Sequence, residues 1–324
     1  MRFLALVRAC GSVGLAMLAF VALCHGTVAH AADSPPMRVA LVGNQNDPRV
    51  AAVRESITKA LGTDCHVDCV DAYQVTPIGL DARQIAAVDA AADLVVAVGS
   101  DAGEIVARTP GSTPRLYGFL PLTVWQELAD CCAPDKHRDS ALYIDQPSLR
   151  QFELIRQVVP DARRVGVMLG DVSRARRAEL ERVADDLGYV LQVADVADSG
   201  AVGPSLRHLV DDIDVLLALP DPAVFNRNTV YSILLTTYSA GIPVVGYSRA
   251  MVKAGAAAAV FASPPDVGAA ITQRIRSFRR DGRLSPPDYG TVFSVAINAD
   301  VAKSLRLPSL IEDTLLHRLE GAAR

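Results

Sequence analysis

The sequence predicts an α/β fold of two similar halves, each built on a parallel sheet. Three observations carry that expectation: apolar runs of strand length recur along the chain, helical patterns separate them, and the series restarts near residue 145. Short continuous apolar runs suit strands buried on both faces, as in parallel sheets. Strands alternating with helices give α/β order. The composition agrees: 324 residues, 50% hydrophobic and 21% charged, is globular and long enough for two domains with cores of their own.

The first segment reads as an address. Arg2 and Arg8 form a positive start, Val13 to Leu23 is apolar apart from Gly14, and Ala29-His30-Ala31 fits the small-x-small cleavage rule. Residues 1–31 are therefore expected to be a signal peptide cleaved near Ala31, which makes the mature protein exported and periplasmic. The apolar run is short for a membrane anchor, and bulky Leu23 before Cys24 disfavours a lipid attachment site.

Strands are then expected at Arg38 to Gly43, Leu94 to Gly99, Arg115 to Leu120, Ser140 to Ile144, Arg164 to Leu169, Val190 to Val193, Val215 to Leu219 and Pro243 to Tyr247. An edge strand is expected near residues 66–71. Leu149, Phe152, Ile155 and Val159 repeat at helical spacing behind Pro147, which suits a first helical turn. Leu180, Val183 and Leu187 do the same before Gly188, and Thr229 to Ala240 stops at Gly241-Ile242-Pro243. Four strand–helix units occupy residues 38 to about 139 and four more about 149 to 247. A strand over Val260 to Ser263, a helix from about Pro265 to Arg280, a strand over Val292 to Ile297 and a helix beginning near Asn298 complete the chain. This tail is too small for a third domain and is expected to return to both halves. The expected lobes are residues 33–143 with 264–286, and 144–263 with 287–324.

Several function classes fall away. A net charge of −4 without a basic stripe, and 5% aromatic residues, offer no footprint for nucleic acid. Gly99-Ser100-Asp101-Ala102-Gly103 fails the G-x-S-x-G spacing, and the sequence has neither a G-x-x-x-x-G-K loop nor G-x-G-x-x-G. His137, His208 and His317 stand isolated on polar stretches, and Asp211-Asp212-Ile213-Asp214 reads as a solvated helix-to-strand turn. No enzymatic activity, cofactor or metal is expected.

In open α/β sheets ligands bind beyond the carboxyl ends of the strands. The polar residues there are Asn44, Gly99, Ser100, Asp101, Asp145, Gln146, Asp171, Asp221, Tyr247 and Ser248, which we take as candidate ligand-binding residues. Gly, Asn, Ser and Asp also build turns and helix caps, so the set carries more weight than any member. Ser100 opens a helix whose free N–H groups suit a carboxylate, and Asp221 offers an acceptor for an ammonium group.

Asp145-Gln146-Pro147 with its helix to Val159-Pro160, followed by Arg164-Val165-Gly166-Val167, resembles the substrate-binding proteins of ABC transporters, in the branch with tryptophan- and tyrosine-binding members. Asp214 to Pro222, Ile242-Pro243-Val244-Val245-Gly246, Val252-Lys253-Ala254-Gly255-Ala256 and Ser294 to Asn298 before Val301-Ala302-Lys303-Ser304-Leu305 resemble further signatures of that family. The resemblance covers residues 140–308, and the first half by pattern. It implies a periplasmic-binding-protein type I fold: two Rossmann-like lobes, joined by three crossings, closing on a small molecule. It also implies a partner ABC permease, or alternatively a membrane receptor served by a ligand-sensing subunit; a monomer is expected. Gly99-Ser100-Asp101 replaces the family's Gly-Thr-Pro, and Phe119-Leu120-Pro121-Leu122 lacks the polar residues usual there. An aromatic amino acid therefore does not carry over, and a small polar or zwitterionic, amino-acid-like ligand is expected.

Beyond the signal segment the cysteines are Cys65, Cys69, Cys131 and Cys132. An even count in an oxidising compartment favours a disulfide. Cys65–Cys69 ranks first, with Cys65 in a turn after Gly62 so that the chain folds back.

Overall fold

A computed structural model describes residues 35–62, 73–132, 135 and 138–322. The signal segment, its cleavage near Ala31, His137 and the Cys65–Cys69 pairing lie outside the described residues. Pro36–Arg324 forms one compact unit, which holds all the elements of the fold.

The first series runs β1 (Met37–Gly43), α1 (Pro48–Gly62), β2 (Tyr73–Ile78), α2 (Ala82–Asp89), β3 (Leu94–Val98), α3 (Ser100–Arg108), β4 (Arg115–Leu120), α4 (Leu122–Cys132) and β5 (Asp139–Tyr143). The second runs α5 (Ser148–Val158), β6 (Arg164–Leu169), a 3-10 turn (Ser173–Arg176), α6 (Arg177–Asp186), β7 (Val190–Asp195), α7 (Val202–Leu209), β8 (Val215–Leu217), α8 (Val230–Ser239), β9 (Val244–Gly246), α9 (Arg249–Ala254) and β10 (Ala258–Phe261). The chain then adds α10 (Pro264–Asp281), β11 (Asp288–Tyr289), β12 (Ser294–Ile297), α11 (Ala299–Ser304) and α12 (Glu312–Ala322).

Two six-stranded sheets result, ordered β11-β5-β4-β3-β1-β2 and β12-β10-β9-β8-β6-β7. All pairings are parallel except β12 against β10. The strands that lie inside each sheet are the continuous apolar runs of the sequence: β3 and β8 are buried at every position. Helices cover both faces of each sheet, because such strands must be shielded on both sides. The fold is that of a two-lobed α/β protein. The chain passes from first sheet to second after β5, returns after β10 through α10, and leaves again after β11.

Three details go beyond the sequence reading. The first sheet has an edge strand at Tyr73–Ile78, pairing Met37 with Tyr73 and Leu41 with Pro77, while the expected strand near 66–71 lies outside the described residues. Its YQVTPI sequence lacks the apolar run of a central strand, and Pro77 is tolerated because an edge strand has one unpaired side. Asp288–Tyr289 pairs with Leu142 and Tyr143 of the first sheet, so that sheet extends past residue 286. The chain also ends in a second helix, α12, whose Leu315 and Leu319 are buried in the second lobe's core.

Candidate ligand-binding cleft

The carboxyl ends of both sheets meet at two adjoining cavities. The larger, about 630 Å³, is lined by Asp145, Gln146, Asp221, Tyr247 and Ser248 of the expected set. The smaller, about 290 Å³, is lined by Asn44, Gly99, Ser100 and Asp101. Arg49, Pro121 and Ile144 wall both, so the two form one continuous cleft. Asp171 lines neither: its side chain is 80% exposed and pairs with Arg174 at 3.3 Å.

On the first-lobe side, α3 begins behind Gly99, whose φ of 95° suits glycine. Gly99 has no side chain to cap the helix, so the first backbone N–H groups of α3 stay available at the cavity. These groups and the helix dipole favour an anion. Arg49 adds a cation, although Asp47 pairs with it at 2.8 Å. Its guanidinium lies 6.0 Å from the ring of Phe119. Phe119 holds φ at 58°, unusual for a side chain of its size, where the β4–β5 register shifts between Gly118 and Leu120. Such strained positions cluster at binding sites.

The floor of the cleft is the first crossing between the sheets. Asp145 Oδ2 accepts the Leu122 N–H at 2.7 Å and so anchors the start of α4. Arg176 Nη2 donates to Gln146 O, Ser148 Oγ and Gln151 Oε1 at 3.1, 2.8 and 3.3 Å. Arg176 also pairs with Glu179 at 3.3 Å. Burial pushes the Glu179 carboxyl up, but the Arg176 charge and the hydrogen bonds from Ser148 outweigh it and hold it below the usual range. Gln151 is 1% exposed, lines the cavity, and its Nε2 has no acceptor among the described residues. Its Nε2 is therefore free to donate to a bound molecule at the cavity.

On the second-lobe side, Asp221 is buried and busy. Its Oδ2 accepts both the backbone N–H and the hydroxyl of Ser173 at 2.8 Å, and its Oδ1 accepts the Ala223 N–H at 2.9 Å. Asp221 therefore ties the loop after β6 to the loop after β8. Three of roughly four lone-pair directions are taken, which leaves little for an ammonium group. Ser248 Oγ accepts the Met251 N–H and caps α9. Tyr247 packs edge-on against Phe225 with centroids 6.1 Å apart. Burial, then the Asp221 charge, raises the Tyr247 hydroxyl above its usual value and keeps it a neutral donor. Phe225, Tyr247 and Phe261 make this wall aromatic.

Sequence reasoning missed Arg49, Gln151, Arg176, Phe225 and Phe261, while the loop of Phe119 was expected at the cleft. Arg49 follows β1 closely enough that its position after a strand could have found it. Gln151 and Arg176 lie within helical segments, and only the crossing of the chain turns them to the cleft.

Cys131 and Cys132, at the end of α4, are joined at 2.14 Å as a vicinal pair. No described helix is long and apolar enough to cross a membrane.

Residues 145–277 match the family model described as ABC transporter substrate binding protein. No curated protein matches the sequence. The ligand-free, open structure of a substrate binding protein with adhesive properties from Clostridium difficile matches with TM-score 0.68 at 17% identity, over 85% of this chain and 96% of that one. An ABC domain in complex with L-Trp from Streptococcus pneumonia gives 0.55 at 17% identity, over 86% and 97%. A periplasmic ribose ABC transporter from Conexibacter woesei gives 0.50 at 14% identity, over 84% and 95%. These likenesses establish the fold as periplasmic-binding-protein type I across both lobes.

Proposed function

The chain resembles ABC transporter substrate-binding proteins in the sequence of residues 145–277 and in the fold of both lobes, and from that premise we propose that it captures a small molecule between its lobes and delivers it to an ABC permease. The ligand is polar or zwitterionic and amino-acid-like. Its carboxylate meets the free N–H groups of α3 beside Ser100 and Arg49, and its remaining surface rests on Phe225, Tyr247 and Phe261. The observation that carries this reading is the pairing of an uncapped helix start on one lobe with an aromatic wall on the other, across one cleft. Closure of the lobes would exclude water, and hydrogen bonds that are weak in solvent would strengthen.

In the same proposal the first lobe is residues 36–143 with 264–290 and the second is 144–263 with 291–322. The protein is exported to the periplasm after cleavage near Ala31, and it acts as a monomer without enzymatic activity.

Native mass spectrometry of the purified protein should find a co-purified small molecule. Calorimetry with that molecule should show at least a tenfold affinity loss for Ser100→Ala or Gln151→Leu, the effect of one charge-assisted hydrogen bond worth about 1.5–3 kcal/mol. Asp221→Ala should instead lower stability along with affinity, because Ser173 and Ala223 lose their acceptor. Wild-type affinity in both Ser100→Ala and Gln151→Leu, with the fold intact, would reject the reading.

A further inference from the structure

Behind the crossings lies a third cavity, of about 500 Å³, that shares no residue with the cleft. Its volume is within the usual range for small-molecule sites. Pro147 and Leu149 at the first crossing, Tyr289 and Phe293 at the third, and Leu319 from α12 form its apolar side, and Glu153, Asp288, Thr291 and Glu320 line the rest. Arg150 completes the wall, and it is the anomaly.

Arg150 is 7% exposed. Its Nη1 donates to Gln146 Oε1 at 2.6 Å and, weakly, to Gly290 O at 3.4 Å. Its guanidinium lies 4.0 Å from the Phe293 ring centroid, which covers one face. The Nε is buried without any hydrogen-bond partner. Nη2 likewise donates to no described residue. Burial lowers the Arg150 pKa to about 10, with only the charge of Asp288 opposing from a distance. The group nevertheless stays charged at neutral pH, and an uncompensated buried charge is costly. The other carboxylates at the cavity are engaged elsewhere: Glu153 pairs with Arg156 at 2.6 Å, and Glu320 faces His317 at 3.4 Å. Asp288 Oδ1 accepts the Tyr289 N–H at 2.7 Å. None of them bonds Arg150.

We propose that this cavity is a second binding site, distinct from the cleft, for a small molecule with an apolar body and a carboxylate that pairs with Arg150. Nη1 is taken by Gln146 and the Nε is shut off from solvent, so Nη2 is the N–H group left to meet a carboxylate. Phe293, Leu319 and Leu149 supply the apolar surround for the rest of the molecule. Because its walls come from two of the three crossings, an occupant here touches the segments about which the lobes would move.

The probe is 4-phenylbutyrate, with 4-phenyl-1-butanol as its uncharged counterpart, titrated into the purified protein and followed by calorimetry and ligand-observed NMR. The acid should bind at least about tenfold more tightly than the alcohol. Arg150→Gln should remove that preference. Leu149→Trp, at a side chain 44% exposed on the rim, should block entry without disturbing the core. Val172→Trp, at a 42% exposed residue of the cleft, should leave probe binding unchanged. Equal binding of acid and alcohol would overturn the proposal, as would no binding of the acid at about millimolar concentration. Loss of binding in Val172→Trp with retention in Leu149→Trp would place the probe in the cleft and also overturn it. Failure here leaves the cleft reading untouched, since that reading is tested with the co-purified molecule and with Ser100 and Gln151.

Discussion

Asp93 and Asp214 hold the same place in the two lobes, each preceding a central strand and gripping the arginine that starts its neighbour. Asp93 Oδ2 accepts the Arg38 N–H at 2.8 Å while Oδ1 takes Nη2 at 2.8 Å. Asp214 Oδ2 accepts the Arg163 and Arg164 N–H groups at 2.8 Å while Oδ1 takes Arg164 Nη2 at 2.7 Å. The Arg38 hydrogen bond holds the Asp93 carboxyl below its usual range. For Asp214, partial burial pushes upward but Arg164 and the two amides outweigh it, and its carboxyl is also lowered. A depressed folded-state pKa stabilises above the unfolded value of 3.8 and loses that contribution as pH falls through the folded value. Melting temperatures of the Asp93→Asn, Asp214→Asn double variant should therefore fall less steeply than wild type in acid; parallel curves would remove these pairs from the acid response. Asp214→Ala should cost about 1–2 kcal/mol at neutral pH in denaturant titration, after allowance for solvent screening. Gly170 is a different case, required by a close approach. A Cβ there would stand 2.5 Å from Asp221 Oδ1, which accepts the Ala223 N–H while Ser173 holds Oδ2. Gly170→Ala should destabilise by about 1–3 kcal/mol, and an unchanged melting curve would show the loop to be more yielding than its contacts imply. None of this was visible in sequence: Asp221 looked like a free acceptor because its partners come from a separate loop.

At the scale of elements, α10 shows what local signals do and do not reveal. Its start is written locally. Ser263 Oγ accepts the Asp266 N–H, and Asp266 Oδ2 accepts the Ser263 N–H at 2.8 Å, a capping box followed by Pro264 and Pro265. Its end is local too, with Gly282 at φ 68°. Its partner is not. The helix follows a strand of the second sheet yet packs on α1, in the first lobe. There Ser56 Cβ lies 2.5 Å from where a Cβ of Gly268 would stand, and Ser56 Oγ donates to Pro265 O at 3.2 Å. Gly268→Leu should force the helices apart and destabilise by about 1–3 kcal/mol or more. Ser263→Ala should cost about 1 kcal/mol through the lost cap. Thermal unfolding of the two variants ranks the effects, and the reverse order would contradict the packing argument. The same division explains the elements that escaped notice. β11 is two residues long and exists only because Leu142 and Tyr143 are beside it. The helix stops at Gly188 and Gly241 were legible, since both adopt positive φ, 76° and 75°, as their place after an apolar helical face requires.

At the scale of the molecule, the tail serves both lobes. β11 closes one edge of the first sheet, β12 closes one edge of the second, and α12 lays Leu315 and Leu319 into the second core. A chain ending after Gly282 would bare the edges of both sheets and uncover that core. It should fail to give a cooperative unfolding transition; two-state melting of such a truncation would refute the dependence. The sequence by itself determined the α/β class, the order and approximate bounds of the central strands, the restart near residue 145 and the family likeness of residues 140–308. Those depend on apolar periodicity and local stop signals, which a few neighbouring residues fix. Tertiary structure alone decided which lobe claims β11, which helix meets α1, and which polar side chains are spent on the fold. Asp221 is consumed by Ser173, Asp145 anchors α4, Gln151 keeps a free donor, and Arg150 is buried with its Nε unpaired. Hydrogen-bond satisfaction and desolvation depend on residues distant in sequence, so only the folded chain assigns them.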